Sequence, residues 1–473
     1  MIRHVKGSVD LSGRELAERR TVEGLLGRYL ALHGYQEVST PVLEDTDLFL
    51  RKSGGAMAAR MYSFVDQGRR RVSLRPEFTA SLMRSYLEAE SPLALPVRWR
   101  YAGPVFRYEQ IPGHPYRQLT QLGVELIGSS GPRADAEVVS LAWHGLAKLG
   151  LAGARLVLGH VGVVQTFLED MGLSERARAS LLQTLADLRR GSTTLEAERA
   201  KVEEATPLPD MPKNGVWEAA VESLGEEGVK ALVVELLSGL GARDTATRDS
   251  SAIVSRFMQR QRAADTPERL LQGLDLVGEL HLLRGGPGGV LRQAGKLAER
   301  HNLPSEPLTA VRRLVESLRE QGIDEEKVEL DLGLARGIAY YTGMVFEIRH
   351  DGLGGDLPLC GGGRYDGLVR ALGWGSRDVP ALGFAYWLER LGEALTAEGR
   401  QVLEPEDATG TVLITPSGDA YAAALTVARQ LREKGLAAHV DVEGRPLSES
   451  IDSAQAHGIQ KVIEVNAAGA VIE

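Results

Sequence analysis

The residues of this chain whose types and spacing could do chemistry are concentrated in the segment Trp99–Gly128. The segment is typical of two β-strands joined by a long loop, and alternation at period 2 puts Arg107 and Glu109 on one face of the first strand. In the second strand Gln121 and Glu125 share a face, while apolar residues point the other way. Charged groups beside apolar ones on a sheet are costly unless they meet a ligand or one another. The hairpin therefore presents either a ligand-binding face or the solvated face of an antiparallel sheet.

The loop Gln110–Tyr116 favours the ligand-binding alternative. It contains two prolines and a glycine, and Arg117 follows it directly. This composition predicts a rigid, exposed connection. An arginine at its end has the paired donors that bind a phosphate group.

Length and composition limit the classes of protein to consider. A chain of 473 residues can hold two to four domains, and its net charge of −9 argues against broad, nonspecific nucleic-acid binding. Cys360 is the only cysteine, which excludes an internal disulfide and a cysteine-based metal site. The N-terminal segment lacks the apolar stretch of a signal peptide, and no apolar run is long enough for a membrane span. We therefore expect a cytoplasmic protein. We also expect no bound metal, because the histidines are scattered without common spacing.

The elements that must position these residues alternate without a regular βαβ rhythm, which predicts an α+β fold. Predicted helices are Arg14–His33, Thr79–Glu88 and Ala134–Leu149. Predicted strands are Gln36–Leu43, which Pro41 interrupts, and Met61–Val65, Arg71–Arg75, Leu156–Leu158, Val328–Leu332 and Tyr340–Ile348.

Three domains are predicted. The core comprises residues 1–170 and 325–398, and a mostly helical insertion rich in Leu, Ala, Glu and Arg occupies residues 171–324. The polar stretch Gly399–Gly410 indicates a linker to a small α/β domain at residues 411–473. Its predicted β-α-β-α-β elements are Thr411–Pro416, Ala420–Lys434, Leu436–Val442, Leu447–His457 and Gln460–Val465.

Five segments in order carry a resemblance to a known family. FRYEQIPGHPYRQLTQLGVE resembles motif 2 of the class II aminoacyl-tRNA synthetases in its histidyl form. The other segments are LRPEFTA at Leu74, ARGIAYYTGMVFE at Ala335, GGGRYDGL at Gly361 and ALGFAYWLERL at Ala381. The resemblance implies the class II antiparallel sheet and a homodimer formed through the helix Arg14–His33 and the strand near Pro41. It also implies that the C-terminal domain is a truncated relative of the anticodon-binding domain.

By this resemblance, three arginines would act on ATP. Arg107 matches the motif 2 arginine that binds the α-phosphate, where a guanidinium offers paired donors to phosphate oxygens. Arg390 matches the motif 3 arginine that lies against adenine and the γ-phosphate, and Arg336 an arginine near the α-phosphate and carboxylate. Taken singly, an arginine of this kind is more often part of a surface ion pair, and it is the register with the motifs that favours a ligand-facing position.

The same resemblance implies a pocket for L-histidine. Four side chains would surround the amino and carboxylate groups, namely Glu77, Thr79, Gln121 and Glu125. Tyr340 and Tyr341 would grip the imidazole, although a tyrosine pair is also common in ordinary strands. Glycines such as Gly361 and Gly363 would let the backbone approach a small ligand.

Several departures from the family pattern fall on the ATP and tRNA side. Trp387 stands where motif 3 has a glycine against which adenine lies, and Phe78 replaces the glycine of RPEGT. Ala339 replaces an acid beside the tyrosines, the loop before Arg117 has lost one arginine, and Gly54–Arg60 lacks the usual threonine and acids. This clustering predicts that adenylate formation is relaxed while histidine binding is kept.

Two functions follow as hypotheses. The first is a histidine-binding regulatory subunit of ATP phosphoribosyltransferase, which would need no cofactor and would pair with a short-form catalytic chain. The second is an active histidine–tRNA ligase, which would use ATP, Mg²⁺ and tRNA-His. LRPEFTASLMR and YYTGMVFE resemble the regulatory group more closely, whereas the C-terminal domain is more usual in ligases.

Overall fold

A large mixed sheet organises most of the chain. The structure, a computed structural model, describes residues 4–51, 60–91, 93–108, 116–204, 265–334, 340–354, 358–374, 378–400, 411–456, 459 and 461–472. The strands are β1 (Gln36–Glu37), β2 (Leu43–Asp45), β3 (Ser63–Val65), β4 (Arg71–Leu74), β5 (Val97–Phe106), β6 (Gln118–Ile127), β7 (Ala154–His160), β8 (Arg284–Gly285), β9 (Val328–Asp331), β10 (Met344–His350), β11 (Pro358–Arg364), β12 (Ala381–Trp387), β13 (Val412–Pro416), β14 (Ala438–Val440), β15 (Lys461–Val465) and β16 (Val471–Ile472). Within the described residues, nine strands form the large sheet in the order β1-β5-β6-β12-β11-β10-β7-β9-β8.

The central strands of this sheet are antiparallel, and only the pairs β1–β5 and β7–β9 are parallel. The hairpin β5–β6 pairs Trp99 with Glu125 and Gly103 with Gln121, so the predicted face is confirmed. Both Gln121 and Glu125 are buried, at 4% and 1% exposure, and the solvated-face alternative is therefore wrong. Glu109 lies outside the described residues.

Helices cover the sheet and form the described part of the insertion. They are α1 (Gly13–Leu32), α2 (Thr79–Leu87), α3 (Pro132–Lys148), α4 (Val161–Asp170), α5 (Glu175–Arg190), α6 (Leu195–Glu204), α7 (Pro267–Leu280), α8 (Pro287–Arg300), α9 (Glu306–Glu320), α10 (Leu368–Ala371), α11 (Leu388–Ala397), α12 (Tyr421–Glu433) and α13 (Leu447–Ala456). The predicted α+β fold is confirmed. None of the helices within the described ranges combines the length and apolarity needed to cross a membrane.

Most predicted core strands differ from the observed ones by one or two residues at an end, and two differ by more. The predicted interruption of Gln36–Leu43 at Pro41 is confirmed: the segment forms the separate strands β1 and β2, because Pro41 has no N–H for a sheet ladder. The strand predicted as Tyr340–Ile348 starts only at Met344. Tyr340 lies in a turn instead, where its ring packs against the ring of Tyr341.

The chain divides into two compact units, one of residues 1–10 with 22–400 and one of residues 11–21 with 401–473. The second contains a four-stranded sheet in the order β14-β13-β15-β16. Its pairs are parallel except β15–β16. Val412 and Ile414 pack with Ala424 and Ala428 of α12. This agrees with the predicted β-α-β-α-β order, to which β16 is an addition. The bounds of the core, the insertion and the C-terminal domain stay predictions.

The segments that precede the β5–β6 hairpin in the chain form a small three-stranded sheet, in which β4 lies between β2 and β3. Its inner face is polar: Ser73 is fully buried, and its hydroxyl hydrogen-bonds the hydroxyls of Thr46 at 2.8 Å and Ser63 at 2.7 Å. The sheet leads directly into Glu77 and α2, which carry part of the site.

Glu398, just after α11, ties this helix to the start of β7 and gives a prediction on acid stability. Its carboxylate accepts hydrogen bonds from His350 Nε2 at 2.8 Å and from the backbone N–H groups of Ala152 and Gly153. The hydrogen bond from His350 is the main reason that the pKa of Glu398 is lowered from 4.5 to about 2.

A carboxylate whose pKa is lower in the folded state stabilises the fold at pH values above its pKa in the unfolded chain, and this stabilisation is lost as pH falls. We expect the stability difference between wild type and Glu398→Gln to be constant above pH 4.5 and to shrink between pH 4.5 and 2, measured by thermal unfolding across pH. A difference that stays constant down to pH 2 would contradict this assignment.

Candidate functional site

The floor of the site is formed by β6, β12 and β11, where small residues face the ligand side. Gly383 lies between Glu125 and Gly363 on the neighbouring strands. A Cβ on Gly383 would lie 1.8 Å from Glu125 Oε2, and one on Gly363 would lie 2.7 Å from Cε1 of Tyr341. Gly361 lies on the same face of β11. At Gly363 the ring of Tyr341 occupies the space, whereas the sequence predicted that this glycine would admit a ligand.

Two buried carboxylates are held in place by donors from nearby elements. Glu77, before α2, accepts the N–H groups of Thr79 at 2.7 Å and Ala80 at 3.1 Å, and thereby caps the helix. The Thr79 hydroxyl in turn donates to Glu125 Oε1 at 2.8 Å, and the hydroxyl of Tyr365 donates to Glu125 Oε2. Burial of these charges is tolerated because each carboxylate oxygen has a donor.

Three tyrosine rings, those of Tyr340, Tyr341 and Tyr365, pack together near the carboxylates, and we call them the aromatic wall. The ring of Tyr340 lies 4.7 Å from that of Tyr341 and edge-on to that of Tyr365 at 5.7 Å. Burial, together with the neighbouring Glu125 carboxylate, raises the pKa of Tyr365 well above its ordinary value. Its hydroxyl therefore stays protonated at neutral pH and acts as a donor. Such a wall beside a carboxylate suits a flat, cationic or N–H-bearing ligand.

Tyr365 was not among the predicted site residues. The signal for it was present, since Tyr365 stands within the glycine-rich segment GGGRYDGL that carried the resemblance. Nothing local indicated that its hydroxyl would meet Glu125, which lies 240 residues earlier.

Gln121 supplies a polar group that still needs a partner. It is 4% exposed, and its carbonyl oxygen accepts no hydrogen bond from any residue that the structure describes. A buried acceptor without a donor is destabilising by about 1–3 kcal/mol. A ligand ammonium group beside Glu125 would satisfy this oxygen.

The two described arginines meet at one tryptophan. Trp387 ends β12 opposite Gln121 and is 5% exposed. The guanidinium carbon of Arg107 lies 4.9 Å from the Trp387 ring centroid, and that of Arg390 lies 5.1 Å from it. Arg107 Nε also donates to the carbonyl of Pro76 at 2.8 Å, and Arg390 Nη1 to that of Pro358 at 2.9 Å. Each guanidinium group thus already donates a hydrogen bond to a backbone carbonyl and contacts the Trp387 ring.

Phe78 and Trp387, the two bulky residues that depart from the family pattern, belong to the same hydrophobic cluster. Phe78 is 1% exposed and stacks on Tyr101 with ring centroids 4.4 Å apart. The guanidinium carbon of Arg75 lies 3.8 Å from the centroid of the Phe78 ring. The two substitutions therefore form one packed unit rather than two independent changes.

The structure brings together six of the predicted histidine-pocket residues, while Arg107 and Arg390 lie at Trp387. The six are Glu77, Thr79, Gln121, Glu125, Tyr340 and Tyr341. Arg336 and Ala339 lie outside the described residues, as does most of Gly54–Arg60. The roles of these side chains towards a ligand stay predictions. Among the residues described, no group of three or more His, Cys, Asp or Glu side chains is arranged to hold a metal ion.

Comparisons with known proteins agree with this architecture. A family profile described as "Histidyl-tRNA synthetase" matches residues 7–224 and 219–391. The histidine–tRNA ligase of Methanocaldococcus jannaschii is 30% identical over 468 residues, covering 98% of this chain and 92% of that protein. The ATP phosphoribosyltransferase regulatory subunit of Moorella thermoacetica is 32% identical over 453 residues, covering 96% and 95%.

Two solved structures share the fold. One, described as an ATP phosphoribosyltransferase regulatory subunit/histidyl-tRNA synthetase from Bacillus halodurans, has a TM-score of 0.67 at 23% identity and covers 98% of both chains. The apo histidyl-tRNA synthetase of S. aureus has a TM-score of 0.58 at 23% identity, over 98% of this chain and 91% of that one. At these identities the likeness establishes the class II fold and no more.

Proposed function

This chain belongs to the histidyl-tRNA synthetase family, and we propose that within it the protein binds L-histidine without forming an adenylate. We propose further that it serves as the regulatory subunit of an ATP phosphoribosyltransferase. Its partners would be L-histidine, a second copy of itself and a short-form catalytic chain. No cofactor is required for this function.

The observation that carries the proposal is the position of Trp387. In the synthetases that the chain resembles, adenine lies against a glycine at this position and beneath the motif 3 arginine. Here the Trp387 ring lies beneath Arg390, with the Arg107 guanidinium also against it. A buried aromatic ring covers about 150–250 Å², so it occupies the surface that adenine would need.

The packing around Trp387 makes a simple displacement of the ring costly. Its cluster partners Phe78, Leu82, Tyr101 and Val105 are all buried to 3% exposure or less. Protein interiors are close-packed, and forcing extra volume into such a region costs about 1–3 kcal/mol. ATP would have to move the ring against this packing before it could bind.

The residues of the proposed histidine pocket supply charge and hydrogen-bond acceptors that suit an amino acid. Glu125 and Glu77 supply negative charge, and Gln121 supplies an acceptor without a partner among the described residues. These groups suit the ammonium of an amino acid, and the tyrosine wall suits an imidazole ring. The pocket therefore supports histidine sensing even where ATP does not bind.

The test is the exchange of radiolabelled pyrophosphate into ATP in the presence of histidine. We expect no detectable exchange by the wild type, because adenine cannot take the surface that Trp387 covers. A histidine–tRNA ligase in the same assay is the positive control, and calorimetry with histidine checks that the protein is active in binding. Trp387→Gly is expected to restore weak ATP binding. Robust exchange by the wild type would reject the regulatory proposal.

An active histidine–tRNA ligase is the second candidate function. It is favoured by the relatives named histidine–tRNA ligase, such as that of Methanocaldococcus jannaschii at 30% identity over 98% of this chain, and by the presence of Arg107 and Arg390. This function would require ATP, Mg²⁺ and tRNA-His. It predicts histidine-dependent exchange that is lost in Arg107→Ala, an outcome opposite to the one expected here.

A further inference from the structure

A polar cleft lies on the opposite face of the large sheet from the histidine pocket. It has a volume of about 480 Å³ and is lined by the end of α1 with the residues after it, by β5, by α3 and by Gln321. Arg98 of β5 is next to Trp99, which faces the histidine pocket, so Arg98 projects to the other side. We name this the rear cleft, with lining residues Tyr29, His33, Gly34, Tyr35, Arg98, Glu137, Ser140, Leu141, His144 and Gln321.

The charges of the rear cleft cancel. Arg98 donates two hydrogen bonds to Glu137, from Nε to Oε1 and from Nη2 to Oε2, each at 2.9 Å. The hydroxyl of Tyr35 donates to the same carboxylate at 3.0 Å. A guanidinium held by this paired geometry is already neutralised. The cleft is therefore suited to a neutral ligand rather than to a phosphate or carboxylate.

The two histidines of the rear cleft have defined tautomers when neutral. Nδ1 of His33 lies 2.9 Å from the carbonyl oxygen of Tyr29, and Nε2 of His144 lies 2.8 Å from that of Gln321. A carbonyl oxygen only accepts, so these two nitrogens must carry the protons. The second nitrogen of each ring is then an acceptor, and the cleft is lined by two groups that can receive N–H donors.

Aromatic surface and a hydroxyl complete the lining. The rings of Tyr29 and His33 pack with their centroids 4.5 Å apart, and Tyr35 adds a further buried ring. Burial raises the pKa of Tyr29 to about 12, so its hydroxyl stays protonated. Tyr29 and Tyr35 are 8% and 2% exposed, so their rings offer little open face to a ligand. The cleft volume lies in the range of small-molecule pockets.

We propose that the rear cleft is a binding site for a neutral nucleobase that carries an exocyclic amine, of which adenine is the type. The amine donates to the second ring nitrogens of His33 and His144, which do not carry the protons. This site is separate from the histidine pocket and does not depend on the regulatory function proposed above.

The experiment is a calorimetric titration of the full chain with adenosine and with uridine, which lacks an exocyclic amine, at saturating histidine. We expect one adenosine per chain and at least about tenfold weaker binding of uridine, because each unpaired polar group weakens binding by a factor of this order. His144→Phe and His33→Phe keep a flat ring and remove the acceptor. Each is expected to weaken adenosine binding about tenfold while histidine binding is unchanged.

A third variant and a measurement on the wild type make the result decisive. Arg390→Ala reports on the front of the sheet: if adenosine binding is lost only in this variant, the ligand occupies an open adenine site there and the rear-cleft proposal is wrong. Absence of adenosine binding, or binding unaffected by both histidine variants, also overturns it. Should the variants not fold, hydrogen exchange of the wild type decides, with protection by adenosine expected at the end of α1 and in α3 and not in β11 or β12.

Discussion

Histidine binding by the Glu125→Ala variant is expected to be weaker than that of the wild type by about 2–3 kcal/mol, on the order of a hundredfold in Kd. The wild-type carboxylate is 1% exposed and is oriented by the hydroxyls of Thr79 and Tyr365. Its removal leaves the ligand ammonium without its buried counter-charge. It also leaves the Tyr365 hydroxyl without its acceptor. Isothermal titration with histidine in the absence of ATP measures the change.

Two further variants separate charge from shape. Glu125→Gln preserves volume but removes the charge, and we expect it to lose most of the same affinity because the ammonium needs a negative partner. Glu398→Gln alters a carboxylate after α11 that contacts His350, outside the pocket, and should leave histidine affinity unchanged. Histidine affinities of Glu125→Ala and Glu125→Gln within twofold of wild type would show that Glu125 does not face the ligand. No histidine binding by the wild type itself would reject the sensor function as a whole.

The Gly383→Ala substitution is expected to destabilise the fold by about 3 kcal/mol, at the upper end of overpacking effects. Its Cβ would lie 1.8 Å from Glu125 Oε2 and 2.3 Å from the carbonyl oxygen of Val124. The second contact is with backbone in the middle of the sheet, so rotation of one side chain cannot relieve it. Because Glu125 would have to move as well, histidine affinity should fall together with stability. Chemical denaturation and calorimetry measure the two effects.

Gly392→Ala is the matched control for this substitution. Gly392 lies in α11, five residues after the end of β12, and a Cβ there would meet no atom within 4 Å. Alanine in an exposed helical position should stabilise the protein by about 0.5–1 kcal/mol. Equal denaturation midpoints for wild type and Gly383→Ala would mean that the β6–β12 contact is looser than the structure has it.

Local pattern was sufficient for the hairpin and for most helices. Alternation at period 2 placed Gln121 and Glu125 on one face, and the register of β5 with β6 confirmed it. Such alternation depends only on backbone geometry, which the order of residues reveals directly. Pattern failed at Tyr340, where a run of strand-forming residues turned out to begin in a turn. There the ring of Tyr340 packs against the rings of Tyr341 and Tyr365, a tertiary contact that strand propensity does not reveal.

The sequence by itself determined the family, the α+β class and the set of residues from which a histidine pocket could be built. The tertiary structure decided which of them meet. It brought Tyr365 to Glu125 across the β6-β12-β11 order of the sheet, and it placed Phe78 and Trp387, more than three hundred residues apart, in one cluster. Strand order and side-chain packing arise from contacts between distant segments, and those contacts leave no periodic trace in the chain. For this reason Phe78 and Trp387 were visible in the sequence only as separate departures from the family pattern, while their place in one cluster follows only from the fold.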